Sequence, residues 1–155
     1  MTELVVLGDA LLRRSRPVSR IDFLTLAQGE VPAGTRGLRR LRAALPLIRA
    51  RTDSCQETRL RLLLRDAGLP EPEVNRPILD RQRILAIPDL SYPDARLAIE
   101  YDGDIHRTDR RTWTRDLARR RTLEAHNWLI HTWTAADLRD PTRALGHLRR
   151  QLSRR

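Results

Sequence analysis

One decapeptide, Leu97-Ala98-Ile99-Glu100-Tyr101-Asp102-Gly103-Asp104-Ile105-His106, limits what this chain can fold into more than any other stretch. It opens as a short apolar run and then sets two carboxylates one residue apart. Successive side chains of a strand face opposite ways, so Glu100 and Asp102 project from one face, Ile99 and Tyr101 from the other. Two acids crowded on one face repel unless a cation lies between them, and a divalent metal held by oxygen ligands is the usual answer. A plain polar strand edge is the competing reading.

A second apolar run, Ile84-Leu85-Ala86-Ile87-Pro88-Asp89-Leu90, precedes the first, with Ser91-Tyr92-Pro93-Asp94-Ala95-Arg96 between them. Pro-Asp is turn chemistry, because Pro presets φ and Asp bonds to the nearby backbone. The two runs therefore read as an antiparallel hairpin. With a two- or four-residue loop Asp89 shares a face with Glu100, directly opposite or one pair diagonal. Three acids then converge, and burying like charges without a counter-ion is expensive, which favours a metal site.

Pro88-Asp89, followed across the hairpin by Glu100-Tyr101-Asp102-Gly103 and His106, resembles the PD-(D/E)XK nuclease superfamily. More narrowly it resembles the domain-of-unknown-function 559 group, related to very-short-patch-repair endonucleases. The series Asp116, Arg119, Leu123 and Asn127 follows that group's pattern with Asn in place of its Gly, and Glu57 matches the acid of its upstream helix. The resemblance covers roughly residues 53–140. It implies a restriction-endonuclease-like α/β fold, an αβββαβ core with a four-stranded mixed sheet. The superfamily's Lys is absent, as is every Lys, and Asp102 occupies its place.

At 155 residues, 40% hydrophobic and 32% charged, the chain has the composition of a globular domain with a real core. Its formal charge is +10, and every cationic side chain other than His is Arg, which grips phosphate through two parallel hydrogen bonds. Such a surface suits a nucleic-acid backbone, although coding bias in a GC-rich genome also favours Arg. Cys55 is the lone cysteine, so an internal disulfide and a Cys-rich zinc centre are excluded; it is expected to face a helix core. The N-terminus shows no signal-peptide pattern and no run reaches membrane-spanning length, so a cytoplasmic protein is expected.

Along the chain, residues 1–50 read as a helical N-terminal extension. Residues 2–14 form a first helix with Leu4, Leu7, Leu11 and Leu12 on one side. A second runs from Arg20 to Gln28, with Ser19 as cap and Ile21, Leu24 and Leu26 as apolar contacts. A third runs from Leu38 to Leu45, with Arg36, Arg39, Arg40 and Arg42 exposed, and Pro46 ends or bends it. Residues 51–155 read as the nuclease-like domain. Ser54 caps a helix that Gly68 terminates, Glu73–Leu79 is an edge strand, and the two hairpin strands follow. Thr112–His126 is the longest helix, with Trp113, Leu117, Ala118 and Leu123 facing the sheet. Trp128–Trp133 is the fourth strand, before a last helix around Thr142–Leu152.

The function these features and the resemblance imply is a metal-dependent endonuclease hydrolysing phosphodiester bonds in DNA. Asp89, Glu100 and Asp102 are the expected ligands of Mg²⁺ or Mn²⁺, and Glu57 and His106 join them as catalytic candidates, His106 because it titrates near neutral pH. Arg107, Arg111, Arg115, Arg119, Arg120 and Arg121 are the expected nucleic-acid contacts. Other readings stay open: a catalytically silent nucleic-acid-binding module for want of the Lys, or an antitoxin-like regulator on the same fold. RNA is not excluded, and His126, His131 and His147 read as surface or packing residues.

Overall fold

The computed structural model describes residues 1–103 and 110–153, with the backbone alone over 110–115. His106 and Arg107 lie outside the described residues. The chain divides into two compact units, Met1–Leu62 and Leu63–Arg155.

The first unit is helical: α1 (Thr2–Leu11), α2 (Ile21–Gly29), α3 (Leu38–Ala44) with a single 3-10 turn over Leu45–Leu47, and the first part of α4 (Cys55–Asp66). Val5, Leu12, Ala44, Ile48 and Leu62 form its core, with Leu4, Leu24, Leu45 and Leu47 packed against them. Leu7, Ile21 and Leu26, expected inside, are exposed. The buried face of α1 is instead Val5, Gly8 and Asp9, because a small residue at 8 admits the Ile48 side chain. The reason for the burial of Asp9 is Arg61. Both side chains are fully buried, and Arg61 Nη2 donates to Asp9 Oδ2 at 2.9 Å and to Leu47 O at 2.8 Å. Thr58 Oγ1 and the Arg49 backbone N–H also donate to the Asp9 carboxylate, at 2.9 and 2.7 Å. Cys55 is exposed on the first turn of α4, not turned to a core.

The second unit holds a four-stranded mixed sheet in the order β1 (Glu73–Val74), β4 (Leu90–Tyr92), β5 (Leu97–Tyr101), β6 (Leu129–Trp133). The first two pairings are antiparallel and the last is parallel. Both proline-containing runs are divided. Pro77 separates β1 from β2 (Ile78–Asp80), and Pro88 separates β3 (Arg83–Ala86) from β4, since Pro has no N–H for a ladder. Among the described residues β2 and β3 pair only with each other, as a separate two-stranded ribbon. The run Ile84–Leu90 is thus not one strand; only its end pairs with β5.

The helices α5 (Arg110–Ala125), α6 (Ala135–Arg139) and α7 (Thr142–Leu152) complete the unit. On one face of the sheet, Ala98 joins Ile78, Ala86 and Leu123 in a core edged by Leu85, Trp128 and Ile130. Ala118, expected there, is exposed. α5 ends where Asn127 takes φ 61°, with Trp128 N–H bonded to Leu123 O and Asn127 N–H to Glu124 O, a Schellman closure without glycine. On the other face β6 meets α7 through an edge-on contact of the His131 and His147 rings, 5.6 Å between centroids.

Candidate functional site

The four-residue turn Pro93–Arg96 sets the register Leu90↔Ile99, Ser91↔Ala98 and Tyr92↔Leu97. Continued by one residue, that register puts Asp89 directly opposite Glu100. The position of Asp89 is fixed twice. Its carbonyl accepts from Asn75 N–H at 2.9 Å, and its Oδ2 accepts from Tyr101 N–H at 2.7 Å. Both acids line a cleft of about 540 Å³ with Asp102, Gly103, Asp116, Arg119, Arg120 and Thr132.

Glu100 is held from α5. Its Oε2 accepts from Arg119 Nη2 at 3.0 Å, while its Oε1 is buried and has no hydrogen-bond partner among the described residues. Burial pushes its carboxyl above the ordinary range. Arg119 and Arg120 oppose that shift, and the negative charges of Asp116 and Asp102 add to it. Arg119 also reaches Asp116 Oδ1 at 3.5 Å, and Arg120 Nη2 donates to Thr132 Oγ1 at 3.0 Å. Residues 116, 119 and 120 of α5 recur at helical spacing, so one helix face presents them over the sheet.

Asp102 follows the last residue of β5. Its N–H is bonded to Trp133 O at 2.7 Å, and its side chain is exposed at the cleft. The three acids share the cleft, but among the described residues no three His, Cys, Asp or Glu side chains converge as a metal-binding group. Asp89 and Glu100 stand as a facing pair, with Asp102 at the same cleft. Glu57 belongs to the first unit, where its N–H bonds Ser54 Oγ at 3.2 Å and its Oε2 accepts from Asp53 N–H at 3.0 Å. Those bonds are helix-capping chemistry. Arg121 is exposed and does not line the cleft; the side chains of Arg111 and Arg115 lie outside the described residues.

Sequence reasoning left Asp116 out of the site. Its three-residue spacing to Arg119 was the available signal, since such pairs are neighbours on a helix.

No family model matches the chain, and no solved structure matches it. It is similar to uncharacterized proteins of Mycobacterium tuberculosis from strains CDC 1551 / Oshkosh and H37Rv, each 30% identical over 154 residues. The match takes in 92% of this chain and 57% of each relative, so the chain spans little more than half the length of the curated relatives it matches.

Proposed function

We propose that the second unit is a metal-dependent nuclease domain of restriction-endonuclease-like fold, hydrolysing phosphodiester bonds in DNA. The observation that carries the reading is the buried Oε1 of Glu100, without a hydrogen-bond partner among the described residues, across the strand pair from Asp89. A buried carboxylate oxygen with no donor is costly unless a cation completes it. The order helix, three sheet strands, helix, parallel strand agrees with the αβββαβ core that the resemblance implies.

Asp89 and Glu100, with the Tyr101 carbonyl, form a hard oxygen donor set suited to Mg²⁺ or Mn²⁺. When bound, such an ion acidifies water and neutralises charge on a phosphate. Asp102, exposed beside the pair, orients the attacking water. Arg119 and Arg120 receive the phosphate oxygens, and Arg119 is the fixed cation beside Glu100 in a chain that has no Lys. His106 remains the candidate general acid for the leaving oxygen. A cytoplasmic location goes with this reading; among the described residues no helix is long and apolar enough to cross a membrane.

The test is cleavage of single-stranded, duplex and branched DNA with Mg²⁺ or Mn²⁺, with Asp89→Asn as control. Cleavage by the wild type that disappears in the variant, with DNA binding kept, is the expected result. Wild-type protein that binds DNA but cleaves nothing under every metal condition hands the site to the silent binding module. The missing Lys and the absence of a three-ligand cluster among the described residues favour that second reading.

A further inference from the structure

Within the first unit the acids are largely taken. Glu3 pairs with Arg59, Asp9 with Arg61, Asp22 with Arg20 and Asp53 with Arg14. Arg36, Arg39, Arg40 and Arg42 are all exposed and have no ion pair or hydrogen bond through their side chains among the described residues. They cluster on and just before α3, whose Leu38 and Ala44 are buried and whose Leu41 is half-buried. The rest of that helix surface is Arg39, Arg40, Arg42 and the small Ala43. At 100° per residue, the three arginines span the outward half of the helix.

Like charges three residues apart on a helix repel, and here no acid interleaves them. An external polyanion with regularly spaced charges removes that repulsion. We propose that the exposed face of α3 is a second phosphodiester-backbone contact, separate from the acidic cleft, which grips nucleic acid without reading its sequence. The choice of polyanion rests on the nuclease reading of the second unit; the surface itself does not. A lipid surface fits less well. The large exposed apolar side chains of this unit, among them Val18, Ile21, Phe23 and Leu26, lie at Met1, on α1 and α2 and on the loop between them, and α3 exposes only the small Ala43.

The test is equilibrium binding of the chain to a short fluorescent DNA duplex of arbitrary sequence. EDTA suppresses metal-dependent cleavage, and a salt series is measured in each case. The triple variant Arg39→Ala, Arg40→Ala, Arg42→Ala is expected to bind more weakly, with wild-type circular dichroism. The slope of log affinity against log salt should shrink by about 0.9 for each phosphate that is no longer neutralised. The matching triple Lys variant should recover the slope, since counterion release counts charges. An unchanged slope in the Ala variant, failure of Lys to recover it, or wild-type binding to anionic lipid vesicles but not to the duplex each overturns the proposal. Hydrolysis is not read in this assay. A negative result here therefore leaves the cleavage test of Asp89→Asn standing, and a negative result there leaves this surface standing.

Discussion

The Asp89 carboxylate accepts the Tyr101 backbone N–H at 2.7 Å, which ties it to the strand that carries Glu100. One side chain thus serves the hairpin and the cleft together. Asp89→Asn keeps an acceptor oxygen for that N–H and should unfold at nearly the wild-type denaturant midpoint. Asp89→Ala strands the half-buried amide and should lose about 1–3 kcal/mol. Urea titration of both separates the structural from the chemical part of the residue; equal losses would show that the bond contributes nothing.

Glu100 links the site to pH. Burial raises its folded carboxyl above the ordinary range in spite of Arg119. The folded state therefore holds this proton to higher pH than the unfolded chain. The stability gained is full below the unfolded value and is lost as pH rises through the folded one. At neutral pH the ionised group is a cost, and Glu100→Gln should raise the melting temperature of the metal-free protein. That advantage should close as pH falls below the carboxylate range. A variant that melts lower at neutral pH would mean that the ion pair with Arg119 outweighs burial.

The three consecutive arginines of α5 are not equivalent. Arg119 and Arg120 line the cleft and Arg121 does not. Replacing the first two by Ala should weaken DNA binding and reduce the salt slope by about 0.9 per phosphate released, while Arg121→Ala should change it much less. Equal effects at all three positions would point to a diffuse charge effect and against a phosphate seat in the cleft.

In the first unit, Asp9→Ala should be among the most damaging single changes. It leaves the Arg61 guanidinium buried without its carboxylate and strips the acceptor from Thr58 and the Arg49 N–H. Breaking a buried pair from one side costs about 3–5 kcal/mol, readable by thermal or chemical denaturation. Joint replacement of Asp9 and Arg61 by apolar residues should recover part of it.

Where one local rule governed, the sequence was a sufficient guide. Gly68 closes α4 with φ 77°, Asn127 closes α5 with φ 61°, and Pro93-Asp94 turns the hairpin in a register that faces Asp89 to Glu100. It was less informative where tertiary partners decide. The apolar residues of α2 look like core yet none of that helix is buried, and Arg61 looks like surface yet is sealed against Asp9. Composition cannot say which arginine meets an acid forty or more positions away. The run Ile84–Leu90 misled for a different reason: apolar character is continuous across Pro88, whereas the hydrogen-bond ladder is not.

The separate β2–β3 ribbon gives the chain two turns of opposite tolerance. The bend at Arg81-Gln82 closes strands that, among the described residues, pair only with each other, so residues added at its tip leave the four-stranded sheet in register. Lengthening such a loop is cheap, on the order of 0.6 kcal/mol for each doubling. The bend at Pro93–Arg96 has no such freedom. Should a residue added there slip β4 along β5 by one position, its side chains would turn to the opposite face and Asp89 would part from Glu100. Length variation is accommodated at the first bend and would dismantle the cleft at the second.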